Sequence, residues 1–156
     1  MEKTNSMRVL EQRRINYEAY EFSPDIHSAD GVAEVLGLSP SEVYKTLVVI
    51  APQGKPLLVL VPGDREVDLK VLGKGLGGKG YRMATHREAE SLTGLQVGGI
   101  SALALLNRAF PVYVDQSARD LDEFVVSAGK RGINLRLKVA DFMKLTRARW
   151  ATVTER

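Results

Sequence analysis

Cysteine is absent from this chain of 156 residues, and its absence excludes several kinds of site. Without thiols the chain has no disulfide framework, no thiolate metal site and no cysteine nucleophile. Histidine is scarce as well, since His27 and His86 are the two present, and neither stands in a recognisable Ser-His-acid arrangement. The sequence therefore predicts a fold that needs neither a metal nor a cofactor and is held together by its hydrophobic core.

Long apolar runs are also missing. No segment approaches the roughly 18 apolar residues of a membrane-spanning helix, and the first five residues, Met-Glu-Lys-Thr-Asn, lack the apolar region of a signal peptide. We therefore expect a cytoplasmic protein with no membrane contact. The charges are mixed, with 22 basic and 19 acidic residues, so the net charge of +3 favours anionic partners only weakly.

Aromatic residues make up 6% of the chain, and the sequence shows no evident set of exposed aromatic platforms on which nucleic-acid bases would stack. The composition therefore gives only weak support to a general nucleic-acid-binding domain.

What is present fits one ordinary domain, which we expect to span residues 1–156. Capping signals and apolar stripes predict helices at 2–14, 28–36, 39–44, 68–76, 85–93 and a last helix capped by Asp141. Apolar runs predict strands at 17–22, 46–51, 57–61, 81–84, 111–115, 124–127 and 133–139. Residues 117–123 fit a turn or a short helix. Because strands and helices do not alternate regularly, we predict an α+β fold around a curved mixed sheet.

Two adjacent glycines, Gly98 and Gly99, stand in the turn 97–101 between a predicted helix and a predicted strand. Glycines let backbone amides approach a ligand, because no Cβ blocks them and a positive φ costs them little. Such a turn suits a carbonyl oxyanion, although an ordinary turn is the simpler interpretation. A site requires that two other stretches converge on it, 43–46 with Lys45 at a strand end and 126–132 between two late strands.

Several segments stand in an order and spacing that are specific together, although none suffices alone: the first helix, 17–22, 43–47, 67–70, 93–101 and 126–132. They resemble the YbaK/EbsC family of free-standing aminoacyl-tRNA deacylases, which are similar to the editing insertion domain of bacterial prolyl-tRNA synthetase. The resemblance covers nearly the whole chain. It implies a mixed sheet that approaches a barrel and is flanked by helices, with a pocket for the 3′ end of a mischarged tRNA.

The resemblance also implies roles for individual residues. The implied catalytic groups are Lys45 and the backbone of Gly98, Gly99, Ile100 and Ser101. The implied substrate-binding residues are Tyr20, Ser127, Gly129 and Asn134. Two positions depart from the family's usual pattern, since Ala102 stands where proline commonly follows the serine, and Asn134 stands where Cys-specific members tend to have aspartate.

The implied chemistry needs no protein nucleophile. An aminoacyl-tRNA is an activated ester, so orienting it and stabilising negative charge on its carbonyl oxygen accelerates its loss. The attacking group is then water, the terminal ribose hydroxyl, or the thiol of a misattached cysteine. We expect removal of cysteine, or next of alanine, from tRNA(Pro). The rival hypothesis is a non-catalytic module of the same fold that binds tRNA or aminoacyl-tRNA.

Four basic residues, Lys70, Lys74, Lys130 and Arg131, are candidates for a rim that contacts tRNA phosphates. Charged helix faces are often simply solvated, and this alternative stays open. Because the domain is small and offers few elements that read tRNA, we expect prolyl-tRNA synthetase or another partner to supply the choice of tRNA.

Overall fold

The computed structural model describes residues 1–154, so the last two residues of the expected domain lie outside the described part. Its helices are α1 (Asn5–Gln12), α2 (Ala29–Leu36), α3 (Leu69–Gly75), α4 (His86–Thr93) and α5 (Val139–Thr146). Its strands are β1 (Tyr17–Glu21), β2 (Tyr44–Ile50), β3 (Leu57–Pro62), β4 (Arg82–Met83), β5 (Val112–Asp115), β6 (Glu123–Ser127), β7 (Ile133–Lys138) and β8 (Arg149–Ala151). Two 3-10 helices cover Leu103–Arg108 and Gln116–Asp120.

The strands form two sheets. One is a three-stranded antiparallel sheet in the order β1-β7-β6, and the other has the order β4-β2-β3-β5-β8, with β5 parallel to both of its neighbours. The sheets meet where Val43 bridges Val125, a contact in which the Val125 amide donates to the Glu42 carbonyl at 2.9 Å. The predicted α+β fold is confirmed, and within residues 1–154 the two sheets do not close into a barrel.

The core explains the apolar runs of the sequence. Every residue of β3 is buried, as expected for a central strand covered on both faces. A large cluster of buried side chains contains three aromatic rings in contact, with centroids 5.2 Å apart for the tilted pair Tyr44 and Phe124 and 5.1 Å apart for the edge-to-face pair Phe124 and Phe142. These contacts hold the start of β2 against β6 of the three-stranded sheet.

The helix predicted at 39–44 is wrong. Residues 39–42 form a hydrogen-bonded turn, in which the Glu42 amide donates to the Ser39 carbonyl at 2.9 Å and the Ser39 amide donates to the Glu42 carboxylate at 3.1 Å. The capping pattern is therefore half used, but no helix follows. The Glu42 carbonyl instead accepts from Val125, and Tyr44 already belongs to β2.

Asp141 does not cap the last helix. α5 begins at Val139, directly after β7, and the residue at its N-cap is Lys138, whose side chain makes no capping bond. The Val139 amide donates to the Asp122 carbonyl at 2.9 Å, so a neighbouring segment satisfies the helix end instead. Asp141 lies in the first turn, where a carboxylate is favourable.

Strand β8 is absent from the predicted elements, and the strand predicted at 81–84 is shorter than expected, covering only Arg82–Met83. β8 is three residues long and exists because it pairs in parallel with β5, a contact that no local pattern indicates.

Candidate active site

A cavity of about 270 Å³ lies where the two sheets meet. It is bounded by the start of β2, the chain that follows β3, the N-terminal end of α2, the glycine turn and the facing ends of β6 and β7. The residues that line it are 27–30, Val32, 43–47, Gly63, Glu66, Val97, Gly98, Ile100, Ser127 and Asn134. The tertiary structure thus brings together the three stretches that the sequence requires to converge.

The glycine turn is held by packing on both sides. The Gly99 amide donates to the Gln96 carbonyl at 2.8 Å, and Gly98 has a φ of +93°, which closes a turn whose third residue must tolerate positive φ. A Cβ on Gly98 would lie 2.4 Å from Cβ of His27, and a Cβ on Gly99 would lie 2.9 Å from the backbone nitrogen of Arg131. Neither glycine can therefore carry a side chain without movement of its neighbours.

Two residues of the turn combine a place on the cavity lining with a backbone amide that is unpaired in the described part of the chain. Gly98 and Ile100 both line the cavity, and within residues 1–154 neither amide donates a hydrogen bond. The Gly99 amide is occupied by the turn itself. The Ser101 hydroxyl is buried and accepts from the amides of Leu103 and Ala104 at 3.1 and 3.4 Å, so it is engaged at the start of a 3-10 helix, and Ser101 does not line the cavity.

Lys45 is the second residue of β2, and its ammonium lies at the cavity. Its Nζ is 3.0 Å from Oε1 of Glu66, which also lines the cavity and whose side chain is 86% exposed. The lysine side chain is only 22% exposed. The aliphatic part is therefore buried against the sheet while the charge points into the open space, as expected for a lysine at a strand end.

Two polar side chains of the three-stranded sheet contribute to the cavity lining. Ser127 and Asn134 are opposite each other in the β6–β7 ladder, and both line the cavity. The Ser127 hydroxyl accepts from the Gly129 amide at 3.3 Å. Asn134 is 6% exposed, and its side-chain amide makes no hydrogen bond with residues 1–154. Its oxygen and nitrogen are therefore open to a ligand in the cavity.

Tyr20 and Gly129 lie beside the cavity, not on its lining. Tyr20 is opposite Asn134 in the β1–β7 ladder, but its hydroxyl accepts from Nε of Arg136 at 2.8 Å and the guanidinium lies 5.9 Å from its ring centroid. Gly129 has a φ of +99°, and a Cβ there would lie 2.8 Å from that of Ala104. Both residues position neighbouring segments.

The four cations predicted to contact tRNA occupy two separate places. Lys70 and Lys74 are exposed on α3, and both border a shallow depression beside Tyr81. Lys130 and Arg131 belong to the loop that packs on Gly99, and Nε of Arg131 donates to the Val97 carbonyl at 2.7 Å. The second pair adjoins the candidate site, and no described cavity joins it to the first.

His27 and Glu66 are among the lining residues that the sequence did not assign to the site. His27 is exposed and follows a proline turn, so nothing in its local pattern marks it. The glycine turn is distant in sequence, and the contact between the His27 backbone and Gly98 is made only in the folded chain. Glu66 likewise has no local sequence signal, because its contact with Lys45 is made only in the folded chain.

Tyr44 lines the cavity as a neutral group. Burial raises its pKa to about 12, and its hydroxyl shares a 2.7 Å hydrogen bond with the Ser117 hydroxyl. The phenol therefore stays protonated near neutral pH and does not serve as a base.

Within residues 1–154 no group of three or more acidic or histidine side chains is placed to hold a metal ion, and no helix there has the length and apolar character to span a membrane.

Comparison with known proteins gives matches over most of the chain. The model of the aminoacyl-tRNA editing domain matches residues 23–145. An Enterococcus faecalis protein named "Putative Cys-tRNA(Pro)/Cys-tRNA(Cys) deacylase EbsC" is 37% identical over 155 residues, which are 98% of this chain and 94% of that protein. The crystal structure of "a putative trans-editing enzyme for prolyl tRNA synthetase" superposes with a TM-score of 0.82 at 26% identity, covering 100% of both chains.

Larger proteins match as well. A proline--tRNA ligase of Persephonella marina is 31% identical over 134 residues, which are 81% of this chain but only 23% of the ligase. This chain therefore corresponds to a minor part of that enzyme. The resemblance that the sequence motifs indicate is confirmed by these matches.

Proposed function

This chain belongs to the aminoacyl-tRNA editing domain family, and on that premise we propose that it is a trans-editing deacylase that cleaves the ester of a mischarged tRNA. The favoured substrate is Cys-tRNA(Pro), with Ala-tRNA(Pro) next. One observation carries the proposal: Lys45 lines the same cavity as Gly98 and Ile100, two residues whose backbone amides donate no hydrogen bond within residues 1–154.

These groups suit ester cleavage. Negative charge develops on the carbonyl oxygen as a nucleophile adds, and hydrogen-bond donors held in place by the fold stabilise that charge. The amides of Gly98 and Ile100 are such donors, because the packing of the turn against His27 and Arg131 prevents it from relaxing. Lys45 supplies a positive charge for the same oxygen or for the ribose-phosphate end of the tRNA.

Asn134 and Ser127 are proposed to hold the aminoacyl group. Asn134 is nearly buried and has a free side-chain amide, which can bond the α-amino group or the carbonyl of the substrate. A cavity of about 270 Å³ is small, so it accepts a short side chain such as that of cysteine or alanine more readily than a large one.

The nucleophile is proposed to come from the substrate or solvent. With a cysteinyl ester, the substrate thiol loses its proton and its sulfur attacks the carbonyl carbon. The ester C–O bond then breaks, the ribose oxygen takes a proton, and a cyclic thioester leaves. Attack by water gives free cysteine instead. Mass spectrometry of the released product distinguishes the two routes.

The deciding experiment is deacylation of Cys-tRNA(Pro), Ala-tRNA(Pro) and Pro-tRNA(Pro) by the wild type and by Lys45→Ala. We expect rapid loss of one mischarged species and a decrease of about 100-fold in kcat/KM for the variant, which corresponds to about 2.7 kcal/mol of transition-state stabilisation. Lys144→Ala is the matched control, because Lys144 is exposed on α5 and does not line the cavity. Decay of every species at its spontaneous rate would instead favour the non-catalytic binding module.

Choice of tRNA is proposed to depend on a partner such as prolyl-tRNA synthetase. This proposal is supported by the size of the chain, which corresponds to about a quarter or less of the ligases it resembles. The check is whether added synthetase increases the ratio of kcat/KM for Cys-tRNA(Pro) to that for Cys-tRNA(Cys). An unchanged ratio contradicts the dependence.

A further inference from the structure

Two adjoining cavities lie at the opposite end of β3 from the candidate active site. They have volumes of about 560 and 600 Å³ and share Pro111, Tyr113 and Arg149 in their walls. We call this region the basic surface and define it by its cations, Arg13, Lys55, Arg147 and Arg149. It includes none of the cations that the sequence predicts to contact tRNA.

The basic surface carries charge of one sign. No aspartate or glutamate lines either cavity, and within residues 1–154 the guanidinium groups of Arg13, Arg147 and Arg149 form no ion pair. The candidate active site differs, since its one lysine is paired with Glu66 and Asp30 lines the same cavity. The cations of the basic surface are thus not offset by carboxylates on its own walls.

Helix ends place these arginines. Arg13 is the C-cap of α1 and Arg147 the C-cap of α5, where its φ of +57° is one that glycine adopts more easily. A helix C-terminus carries roughly half a negative charge, so each arginine neutralises its helix end and leaves positive charge in excess. Arg149 adds a further charge from the first position of β8, two residues after the Arg147 cap.

Aromatic side chains stand among these cations. Phe110, Tyr113 and Trp150 are half-buried on the walls of the two cavities. Arginines outside the defined surface already lie over two of these rings, with the Arg119 guanidinium 5.1 Å from the Trp150 centroid and that of Arg108 5.3 Å from Phe110. Positive charge with interspersed aromatic faces is the composition that binds single-stranded nucleic acid.

We propose that the basic surface binds the phosphodiester backbone of the substrate tRNA while its 3′ end occupies the candidate active site. This rests on the proposed function. Leu58 borders the basic surface and Gly63 borders the active-site cavity, and these two residues lie about 17 Å apart along β3 at the rise of an extended strand. The cavities come closer beside the glycine turn, where Ile100 lines one and Ala102 lines the other. A few nucleotides of RNA bridge such distances.

The test is the triple variant Arg13→Gln, Arg147→Gly and Arg149→Gln. Glycine at 147 relieves the positive φ, so the variant removes a charge without straining the backbone. The matched control removes three exposed cations elsewhere, Arg8→Gln, Arg87→Gln and Lys144→Gln, and has the same net charge. Filter binding of tRNA(Pro) over a range of salt concentrations measures affinity and salt slope for both.

We expect the arginine triple to bind tRNA(Pro) about 10- to 100-fold more weakly at low salt, with its salt slope reduced by about 2 to 3, while the control changes little. Hydrolysis of the cysteinyl ester of adenosine, which does not reach the basic surface, stays at the wild-type rate. Equal losses in the two triples, or no loss in the arginine triple, would overturn the proposal.

The same measurements distinguish a failure of the deacylase activity from a failure of tRNA binding at the basic surface. If the wild type cleaves neither Cys-tRNA(Pro) nor the cysteinyl ester, the proposed function fails, yet the binding assay still reports on the basic surface. If cleavage is normal and tRNA affinity is unchanged in the arginine triple, the surface proposal alone fails. This second result is the one expected if the basic surface binds an acidic protein instead of tRNA.

Discussion

At the scale of single residues, the candidate site is built from groups that the fold holds still. Gly98 shows this most directly, because its conformation and its surroundings both exclude a side chain. Lys45 shows the opposite property, since its ammonium is held by one exposed carboxylate and is available to a competing anion. The two residues therefore call for different tests.

Gly98→Ala is expected to lower kcat by at least about tenfold, because the turn must move away from His27 and carries its amides with it. The positive φ also costs about 1 to 2 kcal/mol of stability. Gly94→Ala is the control, since Gly94 has a φ of +75° but nothing within 4 Å of the added Cβ. Similar loss of stability in both variants with loss of activity only in Gly98→Ala is the expected result. Full activity of a folded Gly98→Ala protein contradicts the role of the turn.

Glu66→Gln is expected to lower KM for Cys-tRNA(Pro), because an anionic substrate no longer displaces a carboxylate from Lys45. The pair is exposed on the glutamate side, so its free energy is at most about 1 kcal/mol and the decrease in KM at most about fivefold. High salt is expected to abolish the difference. Steady-state kinetics with Glu34→Gln, an exposed change on α2, provides the comparison. A higher KM in Glu66→Gln means that Glu66 positions the lysine instead of competing for it.

At the scale of elements, a buried hydrogen-bond chain joins three parts of the protein. The Tyr44 hydroxyl contacts Ser117, and the Ser117 hydroxyl donates to Asp115 at 2.6 Å. The other oxygen of Asp115 accepts from the amides of Val153 and Thr154 at 3.0 and 3.2 Å. This carboxylate therefore holds the segment after β8 against β5, and through Tyr44 it supports the start of the strand that carries Lys45.

Asp115→Asn is expected to destabilise the protein by about 2 kcal/mol at pH 7, or roughly 6 °C in Tm, because charge-assisted bonds are lost and an amide group faces two backbone donors. Burial alone would raise the pKa of Asp115, but the hydrogen bonds from Ser117, Val153 and Thr154 outweigh it and hold the pKa below its usual range.

The pH dependence follows from that direction. The stability that the Asp115 carboxylate contributes is present above its unfolded pKa of about 3.9 and is lost as the pH falls through the lower folded value. The difference in Tm between wild type and Asp115→Asn should therefore shrink below about pH 4. Thermal unfolding across pH measures it, with the exposed change Asp120→Asn as the control. A difference that persists in acid indicates a steric cause.

At the scale of the whole molecule, the candidate active site and the basic surface border opposite ends of the same buried strand. The candidate active site is nearly balanced in charge, and the basic surface is not. The net charge of +3 conceals this separation, because acidic residues elsewhere offset the cations.

The separation predicts different salt responses for a large and a small substrate. KM for Cys-tRNA(Pro) is expected to rise steeply with salt, because cations bound to the RNA are released when the phosphates bind. KM for the cysteinyl ester of adenosine is expected to change little, since that molecule lacks the backbone phosphates. Parallel salt titrations of both reactions give the result. Equal slopes mean that phosphate contacts outside the active site contribute nothing.

The sequence by itself determined the elements whose signals are local. Capping residues such as Ser28 and Thr85 and the apolar run of β3 act over a few residues, and the structure has the helices and the strand that they predict. The irregular order of strands and helices predicted the α+β fold. The family motifs predicted that Lys45 and the glycine turn converge, and Lys45, Gly98 and Ile100 line one cavity.

Only the tertiary structure decided what depends on distant partners. The Glu42 carbonyl pairs with Val125, which turned a predicted helix into a turn, and β8 exists through its pairing with β5. Tertiary packing also placed His27 against Gly98 and gathered the basic surface from helix ends far apart in sequence. Local propensity amounts to less than about 1 kcal/mol per residue, so such contacts outweigh it wherever the two conflict.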